Sequence, residues 1–321
     1  MDRNMKNIVG AALVVAGLGL IGWAGYSALQ PVSHYALSLA TAPADEAKEV
    51  ASLGLPPEAL QHVEITSPDE RRPIANGLVA REGERLAPIV WRNEVTEPIL
   101  FADVSASDAA KVLAAIREHA PEDAVILAWW DLSRAIRAAT KRNAPLDDPQ
   151  ARGLLIPPTW TEAGPVERRR WGAGAAPQSA ESFGEFIDAL LSDEATGAAA
   201  LARLAGGKRA FVAVHISDIW KAAAARPERL SIGYKDFPSS GVSHGVIKSA
   251  TQWMREQKID GGFAVEPMGG ATRLHYFQRK GDESALIAKL LPFSTSNPMQ
   301  LEKLALVYQH KGWWVYELRG S

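Results

Sequence analysis

The longest apolar run of the chain lies near its N-terminus. From Ile8 to Leu29 the side chains are almost all apolar or small, and no Lys, Arg, Asp or Glu occurs between Asn7 and Ala44. A helix of this length extends roughly 30 Å, which is the thickness of the hydrocarbon core of a bilayer. The run therefore predicts one transmembrane helix over residues 8–29.

Charge next to this run predicts its orientation. Arg3 and Lys6 precede it, so the positive-inside rule places residues 1–7 in the cytoplasm and the chain beyond the span in the periplasm. A cleaved signal peptide is the alternative, but it requires small residues at the first and third positions before the cut. Tyr26 before Ala28 does not meet that requirement. The sequence favours an uncleaved, single-pass anchor in a bacterial inner membrane.

Beyond the predicted span the pattern changes to short elements. Residues 30–56 are mostly small or polar and predict a stalk, whereas residues 57–321 alternate strand patterns with helix patterns and predict one domain. The predicted strands are Leu60–Thr66, Ala87–Trp91, Ile99–Val104, Ala124–Ala128, Ala210–Ile216, Phe263–Glu266, Arg273–Gln278, Leu304–His310 and Trp313–Leu318. The predicted helices are one capped by Ser105 or Ser107, then Leu132–Lys141, Phe183–Leu191, Thr196–Leu204, Asp218–Ala225 and Gly245–Gln257. Residues 147–177 break every period and mark a surface excursion or a seam between two halves. The pattern predicts an α/β fold, with helices flanking a mixed sheet and the C-terminal hairpin at its edge.

Composition excludes several classes of protein and site. The formal net charge is −2, from 35 basic and 37 acidic residues, which gives no overall attraction for nucleic acid. The chain has no cysteine, so it cannot form disulfides, thiolate zinc sites, iron–sulfur clusters or the covalent attachment of c-type haem. The seven histidines are scattered, and no glycine-rich dinucleotide or phosphate loop occurs. The sequence therefore predicts no metal site and no cofactor.

The most unusual local motif is Trp129-Trp130-Asp131, at the carboxyl end of a predicted strand and directly before a predicted helix. Ligands of open α/β sheets bind where strand ends and helix N-termini converge. Asp131 can cap the helix or accept hydrogen bonds from a ligand, and Arg134 follows one turn later. We therefore predict ligand or partner binding at Trp129, Trp130, Asp131 and Arg134. The alternative is that the tryptophans only pack and Asp131 is only an N-cap.

A second motif, Gly241-Val242-Ser243-His244-Gly245, matches the G-x-S-x-G pattern of a hydrolase nucleophile. A nucleophile elbow requires a buried strand directly before it, whereas Phe237-Pro238-Ser239-Ser240 reads as a loop. The order Ser243, Asp282, His310 permits a catalytic triad. The sequence favours a loop and helix start capped by Ser243, and a protein without catalytic residues, over a serine hydrolase.

Two further features point to surfaces. The ten tryptophans include the adjacent pairs Trp129/Trp130 and Trp313/Trp314, and adjacent strand residues face opposite sides. We therefore expect one tryptophan of each pair to be exposed, as in a protein contact. The basic run Glu167–Trp171 predicts either a docking patch for an anion or a solvated loop.

Three segments carry a family resemblance, namely Ala124–Arg137, Ile232–Met254 and Leu290–Leu318. Together with the single predicted span, they resemble the family of the hydroxylamine oxidation protein HaoB. The resemblance implies a membrane-tethered accessory of the multihaem hydroxylamine dehydrogenase, active in docking, assembly or electron hand-off.

A remoter likeness concerns the W-W-D motif at the end of a strand, taken together with the closing hairpin near the C-terminus. The motif looks like W-W-D-Y-G in the soluble domain of the oligosaccharyltransferase catalytic subunit. Leu132-Ser133 replaces Tyr-Gly here, and the many spans of that enzyme are missing. This likeness implies peptide or ligand recognition without glycosyl transfer.

Overall fold

A computed structural model describes residues 17–23, 35–68, 71–99, 101–149, 164–238, 243–268 and 270–320. The chain divides into two compact units, Met1–Ser33 and His34–Ser321. In the first unit, residues 17–23 are helical, and most of the predicted span over residues 8–29 lies outside the described residues. Within the described ranges, no helix has both the length and the apolar character that a membrane crossing requires.

The second unit begins with an antiparallel four-stranded sheet in the order β1-β2-β3-β4. Its strands are β1 (Ala36–Thr41), β2 (Leu60–Thr66), β3 (Pro73–Glu82) and β4 (Arg85–Asn93). β2 has the predicted bounds, because Val63 and Ile65 alternate with polar residues and are buried. β4 extends the predicted strand Ala87–Trp91 at both ends. The predicted strand Ile99–Val104 is wrong, since its described residues form only isolated bridges, at Ile99 and between Val104 and Trp91.

Two elements of this first sheet were not predicted. β1 lies inside the predicted stalk, and its residues pair with β2 from Ala36 opposite Thr66 to Thr41 opposite Gln61. A short helix, α1 (Ala44–Glu49), follows β1.

The second element of this sheet that was not predicted is β3, because Asn76 and Gly77 weaken its strand pattern. Gly77 is required there, because a Cβ atom at this position would lie 2.0 Å from the carbonyl oxygen of Val90.

The central sheet is mixed, as predicted, in the order β10-β11-β6-β5. β5 (Val125–Ala128) and β6 (Ala210–His215) are parallel and completely buried. The C-terminal hairpin, β10 (Leu304–His310) and β11 (Trp313–Leu318), adds to β6 and leaves β10 at the edge, which confirms the predicted hairpin.

Helices connect and flank the central sheet. They are α2 (Ala106–His119), α3 (Trp130–Thr140), α4 (Gly164–Trp171), α5 (Ser179–Leu190), α6 (Glu194–Leu204) and α7 (Asp218–Ala225). Ser105 caps α2 through its side chain, as predicted. Part of the predicted seam is packed onto the domain, because Asp147 and Asp148 are buried and bind the backbone N–H groups of Ala175 and Gly174.

A third, antiparallel sheet has the order β7-β9-β8. Its strands are β7 (Ile232–Pro238), β8 (Phe263–Met268) and β9 (Ala271–Phe277), and α8 (Ser243–Glu256) packs on it through Ala250 and Met254 against Leu274. A short helix, α9 (Leu286–Leu290), precedes the C-terminal hairpin. The predicted α/β class with flanking helices is confirmed, but the described strands form three sheets instead of one.

Candidate functional site

The carboxyl ends of the two parallel strands bring two helix starts together. β5 ends at Ala128 and α3 begins at Trp130, while β6 ends at His215 and α7 begins at Asp218. Ala128 lies opposite Ala213 in the parallel ladder. Because neighbouring parallel strands end at the same edge of a sheet, the segments that follow them meet there.

Four side chains from these segments form a buried group, which we call the strand-end cluster: Trp129, Asp131, Asp218 and Lys221. The Lys221 Nζ atom lies 2.6 Å from Asp218 Oδ1 and 3.7 Å from Asp131 Oδ2. The same ammonium lies 5.3 Å from the centre of the Trp129 ring. Asp218 Oδ2 also accepts a hydrogen bond of 2.9 Å from the backbone N–H of His215. Lys221 and Asp218 are 1% and 2% exposed, so this network is shielded from bulk water.

Asp131 is one of the incompletely satisfied members of the cluster, since the indole N–H of Trp129 also lacks a hydrogen-bond partner among the described residues. Asp131 is 7% exposed, and its Oδ1 atom has no hydrogen-bond partner among the described residues. Burial raises the pKa of its carboxyl group, the nearby Lys221 ammonium lowers it, and the Asp218 carboxylate raises it again. The net direction is upward, because burial outweighs the Lys221 ammonium and the backbone N–H groups of Leu132 and Asp131, all of which lower the pKa. A carboxyl group in this position favours either a bound proton or a bound cation.

Asp131 also lines a small cavity, which we call the apolar cavity. Its volume is about 40 Å³, room for roughly three water molecules. Asp131 is the only ionisable residue among its described lining residues. The remaining lining residues come from β4, α2, α3, β11 and the segment after β4, and they are Pro88, Ile89, Trp91, Phe101, Ala102, Val104, Ala109, Val112, Leu113, Leu132, Ala135 and Trp313.

The other predicted binding residues have structural contacts. Trp129 packs edge-on against Phe183, with ring centres 4.9 Å apart, and Trp130 packs between Phe101 and Trp171. Both tryptophans of the pair are buried, so the expectation that one is exposed is wrong. The reason is that Trp129 and Trp130 occupy a helix start, where adjacent side chains both reach the core.

Arg134 is buried and directed at the backbone. Its guanidinium donates hydrogen bonds to the carbonyl oxygens of Asp147 at 2.7 Å, Leu86 at 2.9 Å and Gly172 at 2.6 Å, and to that of Trp171. Burial lowers its pKa to about 10. These contacts connect β4, the segment after α3 and the end of α4.

The expected N-cap role of Asp131 is not observed. Trp129 occupies the N-cap position of α3 without a side-chain hydrogen bond, and Asp131 lies in the first turn. Its Oδ2 atom lies near Lys221 of α7, and the residue also lines the apolar cavity.

A second cavity, which we call the polar cavity, lies next to the strand-end cluster. It also measures about 40 Å³, and its lining includes His215, Ser217, Glu266, Arg273 and His275. These residues come from the end of β6, the start of α7 and the third sheet. Phe101 and Ala102 line both cavities, so the segment after β4 contributes to both walls.

Two histidines of the polar cavity have fixed hydrogen bonds. His275 Nδ1 accepts from the indole N–H of Trp220 at 2.8 Å, so its Nε2 atom donates to Glu266 at 3.0 Å. Burial acts to raise the pKa of Glu266, but the hydrogen bond and charge of His275 outweigh it, and the net direction is downward. The imidazole of His275 therefore donates its Nε2 hydrogen bond to an ionised carboxylate.

His215 is held as a neutral ring. Its Nδ1 atom accepts from the backbone N–H of Ser217 at 3.1 Å, and its ring lies 4.6 Å from that of Trp313. Burial lowers the pKa of His215 to about 4. Arg273 closes this region through a two-point ion pair with Asp236, at 2.8 and 2.9 Å, and a hydrogen bond to the carbonyl oxygen of Thr96. No group of three or more His, Asp or Glu in the described ranges has the arrangement of a metal site.

A comparison with models of known protein families shows to which family the chain belongs. A family model described as HaoA-associated protein HaoB matches residues 2–318. The chain belongs to the HaoB family. This confirms the predicted resemblance, which rested on segments that include β5, α3 and the C-terminal hairpin.

Solved structures add little to the HaoB assignment. The chain is similar to the C-terminal domain of PglB from C. jejuni, at 10% sequence identity and a TM-score of 0.37, over 65% of this chain and 98% of that one. A similarity of this size supports no argument about function. A comparison with curated proteins found no match.

In the described part of this HaoB-family chain, Asp282 and His310, the potential triad partners of Ser243, have hydrogen bonds to other residues. Ser243 is the first residue of α8, and β7 extends to Pro238. Phe237 and Pro238 therefore belong to a strand where the sequence predicts a loop, and residues 239–242 lie outside the described residues. His310 bonds to Asp108 at 2.8 Å, and Asp282 accepts from the backbone N–H of Ser231 at 2.7 Å. Both potential partners of Ser243 therefore have other roles.

The basic run Glu167–Trp171 lies in helix α4, and its side chains make contacts within the domain. Glu167 is buried and accepts hydrogen bonds from the Tyr35 hydroxyl at 2.5 Å and the Trp171 indole at 3.0 Å. Arg168 forms an ion pair of 3.0 Å with Asp148, and the Arg170 guanidinium lies 4.5 Å from the Tyr35 ring centre. The side chains of this run thus stabilise the domain.

The polar cavity and half of the strand-end cluster are not predicted by the sequence patterns. Lys221 and Asp218 carry a signal that was available, since two opposite charges at i and i+3 start an otherwise apolar helix after a buried strand. Glu266 and His275 carry no such signal, because they lie on different strands and become neighbours only through the pairing of β8 with β9.

Proposed function

We propose that this chain is a non-enzymatic accessory protein of hydroxylamine oxidation that docks HaoA at the membrane. The observation that supports it most is the family description, HaoA-associated protein, together with a match over residues 2–318. HaoA is therefore the partner on which we base the experiments.

The N-terminal run supplies the membrane part of this proposal. The predicted span over residues 8–29, with Arg3 and Lys6 before it, supports a periplasmic position for the α/β domain in this proposal. A tethered domain raises the concentration of its partner at the membrane without any additional contact. Docking therefore needs no catalytic residue on this chain.

Docking or assembly fits the composition better than electron hand-off. The chain has no cysteine, so it carries neither a covalently attached c-type haem nor an iron–sulfur cluster of its own. A docking role requires only a folded domain, a tether and a partner surface.

Capture of HaoA tests the docking proposal. Membranes are solubilised in mild detergent, the full-length chain is captured through a C-terminal tag, and the eluate is stained for covalently bound haem. We expect a multihaem protein to elute with this chain and not with an unrelated single-pass protein purified in the same detergent. Absence of a haem-staining partner at low and moderate salt contradicts the proposal.

Charged substitutions in the apolar run test the tether. An arginine at the centre of a transmembrane helix costs about 2.5–3.5 kcal/mol, so the double variant Leu18→Arg and Ile21→Arg should leave the membrane fraction. We expect HaoA to leave the membrane fraction with it. The matched control, Leu18→Ala and Ile21→Ala, keeps both proteins in the membrane. HaoA that stays at the membrane after this chain is lost from it contradicts the tethering role.

A further inference from the structure

We infer that the apolar cavity beside Asp131 binds a small ammonium-type cation, which completes the charge balance of the strand-end cluster. This site is independent of HaoA docking, because Asp131 is buried inside the domain.

The charge of the strand-end cluster favours a bound cation. The strand-end cluster holds two carboxylates, Asp131 and Asp218, against the single ammonium of Lys221. Lys221 lies 1.1 Å closer to Asp218 than to Asp131, from distances of 2.6 and 3.7 Å, and Asp131 Oδ1 has no partner in the described ranges. An ionised carboxylate in a buried position is costly unless a cation or a hydrogen-bond donor meets it. A ligand with N–H donors and one positive charge supplies both.

The walls of the cavity select the kind of cation. Trp91, Phe101 and Trp313 line it together with aliphatic side chains, and aromatic rings attract cations through their π faces. Calcium and magnesium ions require about six oxygen ligands, whereas the lining offers one carboxylate. A volume of about 40 Å³ admits a ligand of a few heavy atoms. A short primary ammonium fits, with its N–H groups towards Asp131 and its substituent against the apolar wall.

A proton competes with the cation for the Asp131 carboxylate, so the pH dependence of binding is a second test of the site. The charged groups that face Asp131 are Lys221 and Asp218, both from α7. Because burial favours the protonated carboxyl group, the cation has to displace a proton when it binds. Binding should therefore weaken as the pH falls.

Equilibrium dialysis with radiolabelled methylammonium chloride tests the inference on the full-length chain in detergent. We expect saturable binding of one methylammonium per chain at pH 8 and weaker binding at pH 5. Ammonium and hydroxylammonium chloride serve as competitors that identify the preferred substituent, while methanol, a neutral molecule of similar size, should not compete. Absence of saturable binding, or competition by methanol equal to that of the ammonium salts, overturns the inference.

Two variants locate the binding to the cavity. Asp131→Asn keeps the shape of the side chain but removes its charge, and it should lower the affinity at least tenfold. Asp188→Asn removes a carboxylate that is 45% exposed and far along the chain, and it should leave the affinity unchanged. Equal affinity of the wild-type chain and Asp131→Asn overturns the inference.

A cavity-filling variant keeps the test valid if Asp131→Asn does not fold. Ala109 on α2 lines the apolar cavity, so the larger side chain of Ala109→Leu should occupy it without a change at Asp131. We expect it to reduce methylammonium binding at least tenfold while haem staining still reports capture of HaoA. Retained binding in a folded Ala109→Leu chain overturns the inference, whereas loss of HaoA capture concerns only the proposed docking.

Discussion

Replacement of Arg134 by methionine tests whether this buried guanidinium acts as a structural connector. Four backbone carbonyl oxygens accept hydrogen bonds from it, namely those of Leu86, Asp147, Trp171 and Gly172. The side chain is 3% exposed and lies 5.1 Å from the centre of the Trp130 ring. Methionine has a similar length but no donor, so the variant leaves these carbonyl groups without their partner inside the domain.

The expected loss follows from the number of bonds. A hydrogen bond contributes about 1 kcal/mol net, and removal of one partner from a buried charged network costs about 3–5 kcal/mol in total. Arg134→Met should therefore lower the free energy of unfolding by about 4 kcal/mol. Arg137→Met is the matched control, one turn away. Its side chain is 28% exposed and forms an ion pair of 3.0 Å with Asp147, so we expect a loss of about 1 kcal/mol.

Urea unfolding of the full-length chain in detergent measures both losses. Tryptophan fluorescence reports the transition, since the chain has ten tryptophans, and linear extrapolation gives the free energy in water. Equal slopes against urea concentration show that the variants unfold from comparable states. If Arg134→Met and Arg137→Met agree within about 1 kcal/mol, Arg134 is not the connector described here, and a role in binding becomes the better interpretation.

Three further predictions concern the contacts around the central sheet. Because the pKa of His215 falls from 6.5 in the unfolded chain to about 4 in the folded one, the unfolded chain binds the proton more tightly. The free energy of unfolding should then fall by about 3 kcal/mol between pH 6.5 and pH 4, and His215→Asn should remove that dependence, whereas His119→Asn at an exposed position should not. Gly312→Ala places a Cβ atom 2.2 Å from His215 Nε2 and should destabilise the domain by about 1–3 kcal/mol. The control Gly270→Ala, whose Cβ atom meets open space, should leave the stability nearly unchanged. Thermal unfolding of both variants measures the difference in stability. Asp108 is buried, which acts to raise its pKa, but hydrogen bonds from Lys311 and His310 lower it well below the usual range. Asp108→Asn should cost about 1–2 kcal/mol at pH 7. Urea unfolding at pH 3 should show a smaller difference, because the unfolded wild-type chain then binds a proton at Asp108 while the folded chain keeps the carboxylate ionised, which lowers the free energy of unfolding of the wild type.

The pattern of apolar residues was sufficient for the central sheet. β5 and β6 read as continuous apolar runs because both faces are covered, and the terminal hairpin was recognised from Lys311-Gly312. β1, β3 and β7 were missed for a common reason. Each contains small, glycine or proline residues that weaken the alternation. β1 and β7 in addition pair with strands that lie well apart from them in sequence, whereas β3 forms a tight hairpin with β4.

Site residues were predictable only where the chemistry lies next to a recognisable element. Asp131 could be selected because it follows a buried strand directly, and the structure gives it an unpaired oxygen atom and a cavity. Arg134 was selected for its charge and its spacing, but its contacts are with backbone carbonyl groups, which no sequence pattern reveals. The polar cavity combines residues from β6, β8 and β9, and only tertiary packing brings them together.

Tyr35 has a mechanical consequence under the proposed tether. It is the first described residue of the second unit, its hydroxyl is bonded to Glu167, and β1 follows immediately. Force between a membrane and the domain would enter the fold at this point. A pull along β1 would shear all six of its pairs with β2 together instead of opening them one by one. The first sheet would then resist unfolding under force. Single-molecule stretching from the N-terminus should show the force needed to separate β1 from β2 before the rest of the domain unfolds.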